Sequence, residues 1–381
     1  MFVCERCGNR DTRYLGVRNN KYYCRRCIEF IGREYEEISN ENNCSNKHEL
    51  QLKYPLTFEQ NIISEKIIES YKQNKNTLVK AVCGAGKTEI VFGVIDYALN
   101  NNLKVGFAVP RKNVVIDLFP RFKNVFKQTK IISVYGGHND QLEGDLIILT
   151  THQLYRYNNY FDLLILDEVD AFPFYKNEVL YKILQNSVKG KVVILSATAP
   201  DEIIKEFKIK NETILELNVR YHHYPIPNPL VYTGNIIFQF LKLIELIKKY
   251  KKDNKQVFLF VPTIRIGEQL FKYLKYVFKD IIFVSSKTKD IEKIMIDFKD
   301  KKLTTLITTS ILERGVTFDN LQVIVFNSDH FIFTKEALIQ ISGRVGRNIN
   351  NPIGEVFFIA RKETLEMKEA IYEISKSNKY L

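Results

Sequence analysis

The sequence predicts an α/β protein: two parallel-sheet lobes behind a small four-cysteine zinc knuckle. Three observations carry this. From residue 76 onward, short β-branched runs alternate with helical patterns, which implies parallel strands covered by helices on both faces. The alternation stops after about residue 217, passes through Tyr224-Pro225-Ile226-Pro227-Asn228-Pro229, and then resumes, so two similar halves flank a stiff connector. Cys4, Cys7, Cys24 and Cys27 make two Cys-x-x-Cys pairs ahead of both halves. The expected division is 1–54 for knuckle and connector, 55–222 for the first lobe and 223–381 for the second.

The knuckle follows from its spacing. Sixteen residues separate the two cysteine pairs, which matches a four-thiolate zinc site. Two residues between ligands let a tight turn aim both sulfurs at one metal, and Gly8 suits such a turn. Zinc in a closed tetrahedron of thiolates holds structure and does no chemistry. Cys44 and His48 read as a free thiol and a surface histidine in a polar connector. His222-His223 reads as part of the linker, not as a metal site.

In the first lobe, residues 77–82, 104–109, 131–134, 146–149, 163–166 and 192–195 read as strands; 87–100, 111–122 and 177–187 read as helices. In the second, 256–261, 281–284, 304–308, 323–326 and 355–359 read as strands. The Lys-rich stretch 247–255 reads as a solvated helix end.

Composition sets the bounds. A length of 381 residues suits two or three domains, and 45% hydrophobic with 26% charged residues excludes a disordered or collagen-like chain. With 56 Lys+Arg against 44 Asp+Glu the net charge is +12, which points to a polyanion partner, nucleic acid first. Residues 1–55 contribute ten basic and eight acidic groups, or +2, and four thiolates with one Zn2+ bring that to about zero. The remaining +10 sits on residues 56–381. No apolar run reaches the roughly 18 residues of a membrane span, and the start lacks signal-peptide order, so the expected compartment is the cytosol, where thiols stay reduced.

Ala81-Val82-Cys83-Gly84-Ala85-Gly86-Lys87-Thr88 follows a predicted strand and opens a helix. It is a phosphate-binding P-loop with Ala in place of the first Gly. Gly84 and Gly86 let backbone N–H groups wrap a phosphate, Lys87 reaches the β- and γ-phosphates, and Thr88 ligates Mg2+. Cys83 reads as a small buried filler. Asp167-Glu168-Val169-Asp170 follows the strand at 163–166. There Asp167 is the Mg2+ acid, and Glu168 orients and deprotonates the attacking water. In Gln340-Ile341-Ser342-Gly343-Arg344-Val345-Gly346-Arg347, the two arginines fall on one face if helical. Their planar guanidinium groups suit phosphate oxygens, so ATP hydrolysis would report lobe closure.

Together these segments resemble a superfamily 2 helicase, whose fold is two RecA-like lobes. The order fits: Gln60 in Leu56-Thr57-Phe58-Glu59-Gln60, the P-loop, Val109-Pro110-Arg111, Thr150-Thr151-His152, Asp167-Glu168, Ser196-Ala197-Thr198, Val261-Pro262-Thr263, Thr308-Thr309-Ser310-Ile311-Leu312-Glu313-Arg314-Gly315-Val316, and the Gln340 segment. With the four-cysteine knuckle in front, the sequence resembles more narrowly the ComFA family of late-competence ATPases, which help pull transforming DNA through a membrane channel. The resemblance implies that Gln60 reads adenine, Ser196 and Thr198 couple nucleotide to lobe movement, and Gly315 and Glu313 lie near the lobe interface. It implies that Pro110, Arg111, Thr151, Thr263, Thr308 and Thr309 face a DNA strand, gripping its backbone with little sequence preference. Trp is absent, so base stacking falls to Phe and Tyr. The implied partners are single-stranded DNA, a ComFC-like protein and a ComEC-type channel, with a location at the inner membrane face. Two alternatives stay open: a PriA-like or repair helicase, and a non-motor scaffold using ATP as a switch.

Overall fold

The protein is described by a computed structural model covering residues 3–4, 7–18, 21–27, 48–138, 140–169, 177–309 and 318–381. Its contacts divide it into two units. The first is Met1–Ala81 with Gly86–Leu217; the second is Val82–Ala85 with Asn218–Leu381. The cysteine knuckle belongs to the first unit.

The knuckle is a hairpin. β1 (Leu15–Arg18) and β2 (Lys21–Cys24) pair antiparallel with Leu15 opposite Cys24, so the long gap between cysteine pairs is a strand out and a strand back.

The first unit's sheet uses β3 (Thr77–Ala81), β4 (Val105–Val109), β5 (Ile131–Val134), β6 (Leu146–Thr150), β7 (Phe161–Asp167), β8 (Val188–Ser196) and β9 (Thr213–Leu217). Their order is β5-β6-β4-β7-β8-β3-β9, and every pairing is parallel. All residues of β4, β5 and β6 are buried, the pattern of strands covered on both faces. α1 (Phe58–Lys72) opens with a capping box. Thr57 Oγ1 accepts from Gln60 N–H at 3.3 Å, and Gln60 Oε1 accepts from Thr57 N–H at 2.9 Å. The helix predicted at 87–100 divides at Val91 into α2 (Lys87–Ile90) and α3 (Phe92–Asn100). α4 (Lys112–Val125), α5 (Glu178–Ser187) and α6 (Asp201–Ile209) complete the unit. At Gly190 the backbone of β7 passes so close that a Cβ would overlap the Asp162 carbonyl, which is why glycine stands there.

The second unit repeats the scheme with β10 (Leu230–Thr233), β11 (Gln256–Phe260), β12 (Ile281–Val284), β13 (Thr305–Thr308), β14 (Leu321–Phe326) and β15 (Val356–Ala360). The order is β10-β15-β14-β11-β13-β12, again all parallel. α7 (Ile236–Lys252), α8 (Ile264–Leu274), α9 (Ile291–Lys299), α10 (Lys335–Ser342) and α11 (Leu365–Asn378) accompany it. Edge-to-face contacts of Phe318 with Phe258 and Phe298 fill one side of its core.

Two expectations need correction. Arg344 and Arg347 do not share a helical face, because α10 ends at Ser342 and both lie in the turn beyond it. His48 is buried rather than on the surface, and its Nδ1 hydrogen-bonds Thr129 Oγ1 at 2.8 Å. Cys44 lies outside the described residues.

Candidate functional site

In a parallel sheet the strand carboxyl ends form one edge, and loops leaving it converge. The first unit's sheet sends its predicted chemistry to that edge. β3 ends at Ala81 and runs into the P-loop; β7 ends at Asp167; β8 ends at Ser196; β4 and β6 lead into Pro110-Arg111 and Thr151. Gly84 (φ +85°) and Gly86 (φ +81°) both take left-handed backbone. Ala85 N–H closes a turn onto the Val82 carbonyl at 3.1 Å, and Glu89 N–H bonds the Gly86 carbonyl at 3.1 Å as α2 begins. A Cβ on Gly86 would collide with the Gln60 amide nitrogen. Gln60, buried, thus meets the loop with its NH2 end while its oxygen holds the start of α1.

β7 and β3 are separated in the sheet by β8 alone, so their tips stand about 10 Å apart. That places Asp167 within reach of a group held by the P-loop. A hydroxyl (Thr88) and a carboxylate (Asp167) are hard oxygen donors, the chemistry that Mg2+ takes together with water and phosphate oxygens. Glu168 sits at φ +59°, a left-handed conformation uncommon for a side-chain-bearing residue, with its N–H held by the Leu195 carbonyl at 2.9 Å. Thr198 N–H donates to Ser196 Oγ at 3.1 Å, which fixes the turn after β8.

Among the predicted strand-facing residues, Pro110, Thr151 and Thr308 are buried, while Arg111, Thr263 and Thr309 are partly exposed. Thr263 Oγ1 caps α8 by accepting from Ile266 N–H, and Thr308 Oγ1 donates to the Thr309 carbonyl. Asp170, Glu313 and Gly315 lie outside the described residues.

The second unit holds the arginine segment. Gly346 takes φ +65°, and a Cβ there would overlap the Pro352 carbonyl. Arg344 is buried at 2% exposure, whereas Arg347 is partly exposed and its Nε donates to the Gly343 carbonyl at 2.9 Å. Sequence reasoning missed what holds this turn. Arg220, 2% exposed, donates from Nη1 to the Val345 and Gly346 carbonyls at 2.9 Å each, from Nη2 to Gly343 at 3.2 Å, and from Nε to Cys83 at 3.0 Å. Burial lowers its pKa to about 10, still leaving it charged at neutral pH. Tyr221 OH donates to the Arg347 carbonyl at 3.0 Å. His222, taken for linker, is buried: Nε2 donates to the Gly346 carbonyl at 2.9 Å, and Nδ1 accepts from Tyr224 N–H at 3.1 Å. That pattern requires the neutral ring, and burial, then the Arg220 charge, holds its pKa below the ordinary histidine value. An arginine that binds carbonyls has no sequence signature, and the neighbouring prolines pointed toward linker.

All four knuckle sulfurs lie within 4.8 Å of one another, and all four residues are buried. The Sγ–Sγ separations Cys4–Cys27 and Cys7–Cys24 are both 3.7 Å. A tetrahedron with Zn–S near 2.3 Å has edges of ~3.8 Å, whereas a disulfide needs ~2.05 Å. The cluster therefore fits a tetrahedral metal and not two disulfides. Gly8 (φ +67°) turns the first pair, its N–H bonding the Cys4 carbonyl at 2.7 Å, and Asn9 Nδ2 approaches Cys24 Sγ at 3.7 Å. Burial pushes the Cys7 thiol up to about 11, so thiolates here call for a cation. The cysteines share a core with Val169, Val179 and Leu180, and Arg26 reaches Glu178 on α5 at 2.6 Å. A cleft of about 760 Å³ lies between knuckle, α5 and α6, lined among others by Gly8, Arg26, Val169, Lys182, Pro200 and Glu206.

Comparison with known proteins agrees with this geometry. Residues 53–201 match the family described as type III restriction enzyme, res subunit, and residues 239–349 match the helicase conserved C-terminal domain. Competence protein ComFA of Bacillus subtilis (strain 168) is 36% identical over 397 residues, covering 99% of this chain and 86% of that protein. Competence protein ComFA of Streptococcus pneumoniae is 36% identical over 394 residues, covering 99% and 90%. The structure of S. cerevisiae Dbp5 bound to RNA and ADP BeF3 is similar at a TM-score of 0.65, covering 87% of this chain and 89% of that one; at 16% identity it is a likeness of fold alone. The two helicase domains imply ATP and Mg2+ as cofactors and nucleic acid as a ligand. No helix among the described residues is long and apolar enough to cross a membrane. A match of this identity over nearly the whole chain, with helicase domains over both parallel sheets, makes the chain a member of the ComFA family of superfamily 2 helicase-like proteins, an ATP-dependent helicase-like enzyme linked to competence.

Proposed function

We propose that this enzyme is an ATP-driven translocase on single-stranded DNA that serves the uptake of transforming DNA. The observation that supports the reading is the convergence of the P-loop segment, Asp167 and Glu168 on one sheet edge in a chain matched almost end to end by competence proteins. A chain that only bound DNA would have no use for a water-activating carboxylate beside a phosphate loop.

In this reading Lys87 and the loop backbone hold the phosphates of ATP, and Gln60 meets the adenine through its amide NH2. Thr88 and Asp167 would hold Mg2+, which neutralises charge on the β- and γ-phosphates. Glu168 takes the proton of the attacking water, and Arg344 and Arg347 stabilise charge on the transferring phosphoryl group. Ser196 and Thr198 relay the nucleotide state. Loops bearing Pro110, Arg111, Thr151, Thr263, Thr308 and Thr309 would grip the DNA backbone; the buried members act through main-chain groups. Cys4, Cys7, Cys24 and Cys27 would hold a structural zinc. The domains would span 1–54, 55–222 and 223–381, and a ComFC-like protein and a ComEC-type channel would be the partners, at the inner membrane face. The test is ATP turnover with and without a single-stranded oligonucleotide. Strong stimulation supports a motor on DNA; unchanged turnover rejects it.

A further inference from the structure

A buried arginine that meets no carboxylate is costly unless its donors are matched. Among the described residues Arg220 donates four hydrogen bonds, all to backbone carbonyls, and three of the four belong to one short turn: Gly343, Val345 and Gly346. The next two residues continue the pattern. Tyr221 OH binds the carbonyl of Arg347, and His222 Nε2 binds that of Gly346. Three consecutive side chains thus hold every carbonyl from Gly343 to Arg347 except that of Arg344. The chain beside them is irregular: α10 has ended, Gly346 is left-handed, and no ladder or helix defines the turn. Backbone bonds from Arg344 N–H to the Ile341 carbonyl and from Val345 N–H to the Ser342 carbonyl continue past the helix, and the side-chain grip adds to them. The Nε of Arg347 also returns to the Gly343 carbonyl that Arg220 holds, so both arginines share one acceptor.

We propose that Arg220, Tyr221 and His222 are positioning residues for ATP hydrolysis, holding the Gly343–Arg347 turn so that Arg344 and Arg347 are aimed at the transferring phosphate. This rests on the reading that those two arginines act on ATP. The three residues lie directly after the last strand of the first unit, at Leu217. The connector is therefore part of the catalytic support, not a passive spacer. Arginine is required at 220 because one planar fork must serve several carbonyls in fixed directions; a lysine is a point donor and cannot span them. His222 contributes a neutral donor that fits against Arg220 without adding a second charge.

The experiment compares steady-state ATP hydrolysis, with Mg2+ and saturating single-stranded oligonucleotide, for Arg220→Lys, Tyr221→Phe and His222→Ala against Arg347→Ala. Arg220→Lys is expected to lower kcat by about a hundredfold, the effect of misplacing a group by about 1 Å, with KM for ATP changed by less than about threefold. Tyr221→Phe, a milder change at an exposed residue that leaves the core intact, should lower kcat severalfold. His222→Gln, which keeps a donor for Gly346, should restore much of what His222→Ala loses. In an Arg347→Ala background, Arg220→Lys should add little further loss, because the group it aims is gone. If Arg347→Ala itself leaves kcat unchanged, the reading beneath the proposal fails. If Arg347→Ala is severe while Arg220→Lys and Tyr221→Phe retain full kcat, or if the losses simply multiply in the double variant, the positioning proposal fails and that reading stands.

Discussion

Gly86→Ala disturbs two things at once, and the structure separates them. At φ +81° an alanine pays about 1–2 kcal/mol in left-handed backbone strain. Its Cβ would also run into the Gln60 amide, so that side chain must move. Moving it releases the 2.9 Å bond from Thr57 N–H to Gln60 Oε1 and opens the capping box of α1, a loss of about 1 kcal/mol. The two together come to about 2–3 kcal/mol. The assay is a double-mutant cycle with Gln60→Ala, read by urea unfolding and by binding of a fluorescent ATP analogue. Gln60→Ala alone should cost about 1 kcal/mol through the cap. In the Gly86→Ala background it should cost close to nothing, because Gln60 has already been displaced. The expected coupling is therefore about 1 kcal/mol. Strictly additive losses, or a Gly86→Ala protein as stable as the parent, would falsify the link between phosphate loop and helix cap.

Three further outcomes are expected. Glu168→Gln should keep nucleotide affinity and lose turnover by about 10²–10⁴-fold; retained turnover would remove Glu168 from its role as base. Cys27→Ser should lower bound zinc, measured by elemental analysis, and also lower the melting temperature of the first unit, since the cluster shares a core with Val179 and Leu180; full zinc content in this variant would contradict the ligand assignment. Burial by itself would raise the Glu355 pKa, but hydrogen bonds from Lys249 and Tyr250 outweigh it and the carboxyl titrates lower than usual. A depressed folded pKa stabilises above the ordinary glutamate value and loses that stability as pH falls through the folded one. Lys249→Met should thus destabilise at pH 7 and cost progressively less below about pH 4.3; a penalty that persists at pH 3 would show that the lysine acts by packing.

What the sequence made legible follows from burial. Strands covered on both faces read as mostly apolar runs, and β4, β5, β6 and β11 are such strands, every residue buried. β9 and β10 were not predicted. They lie at sheet edges with half-exposed, mixed residues, Thr213–Leu217 and Leu230–Thr233, and present no periodic signal. The strand-end placement of the P-loop segment and of Asp167 and Glu168 was legible because a largely buried, largely apolar run precedes each. Arg344 and Arg347 would share a face only in a helix, and that condition is not met because the helix ends at Ser342, where glycines flank Arg344-Val345. Arg220 and His222 were illegible because they bind main-chain carbonyls, which every residue supplies. Nothing in a partner's side chain records their work.

The cysteine cluster carries a consequence for biosynthesis. The four cysteines leave the ribosome well before the helix they pack on: Arg26 and its partner Glu178 are 152 residues apart. At bacterial rates of roughly 5–20 residues per second, that delay is about 8–30 seconds. During it, four thiols with affinity for soft metals are presented without the surface that buries them. Were the cluster to take a metal on the nascent chain, the hairpin would hold its fold while it waits; without one, four cysteines would stay exposed for that interval.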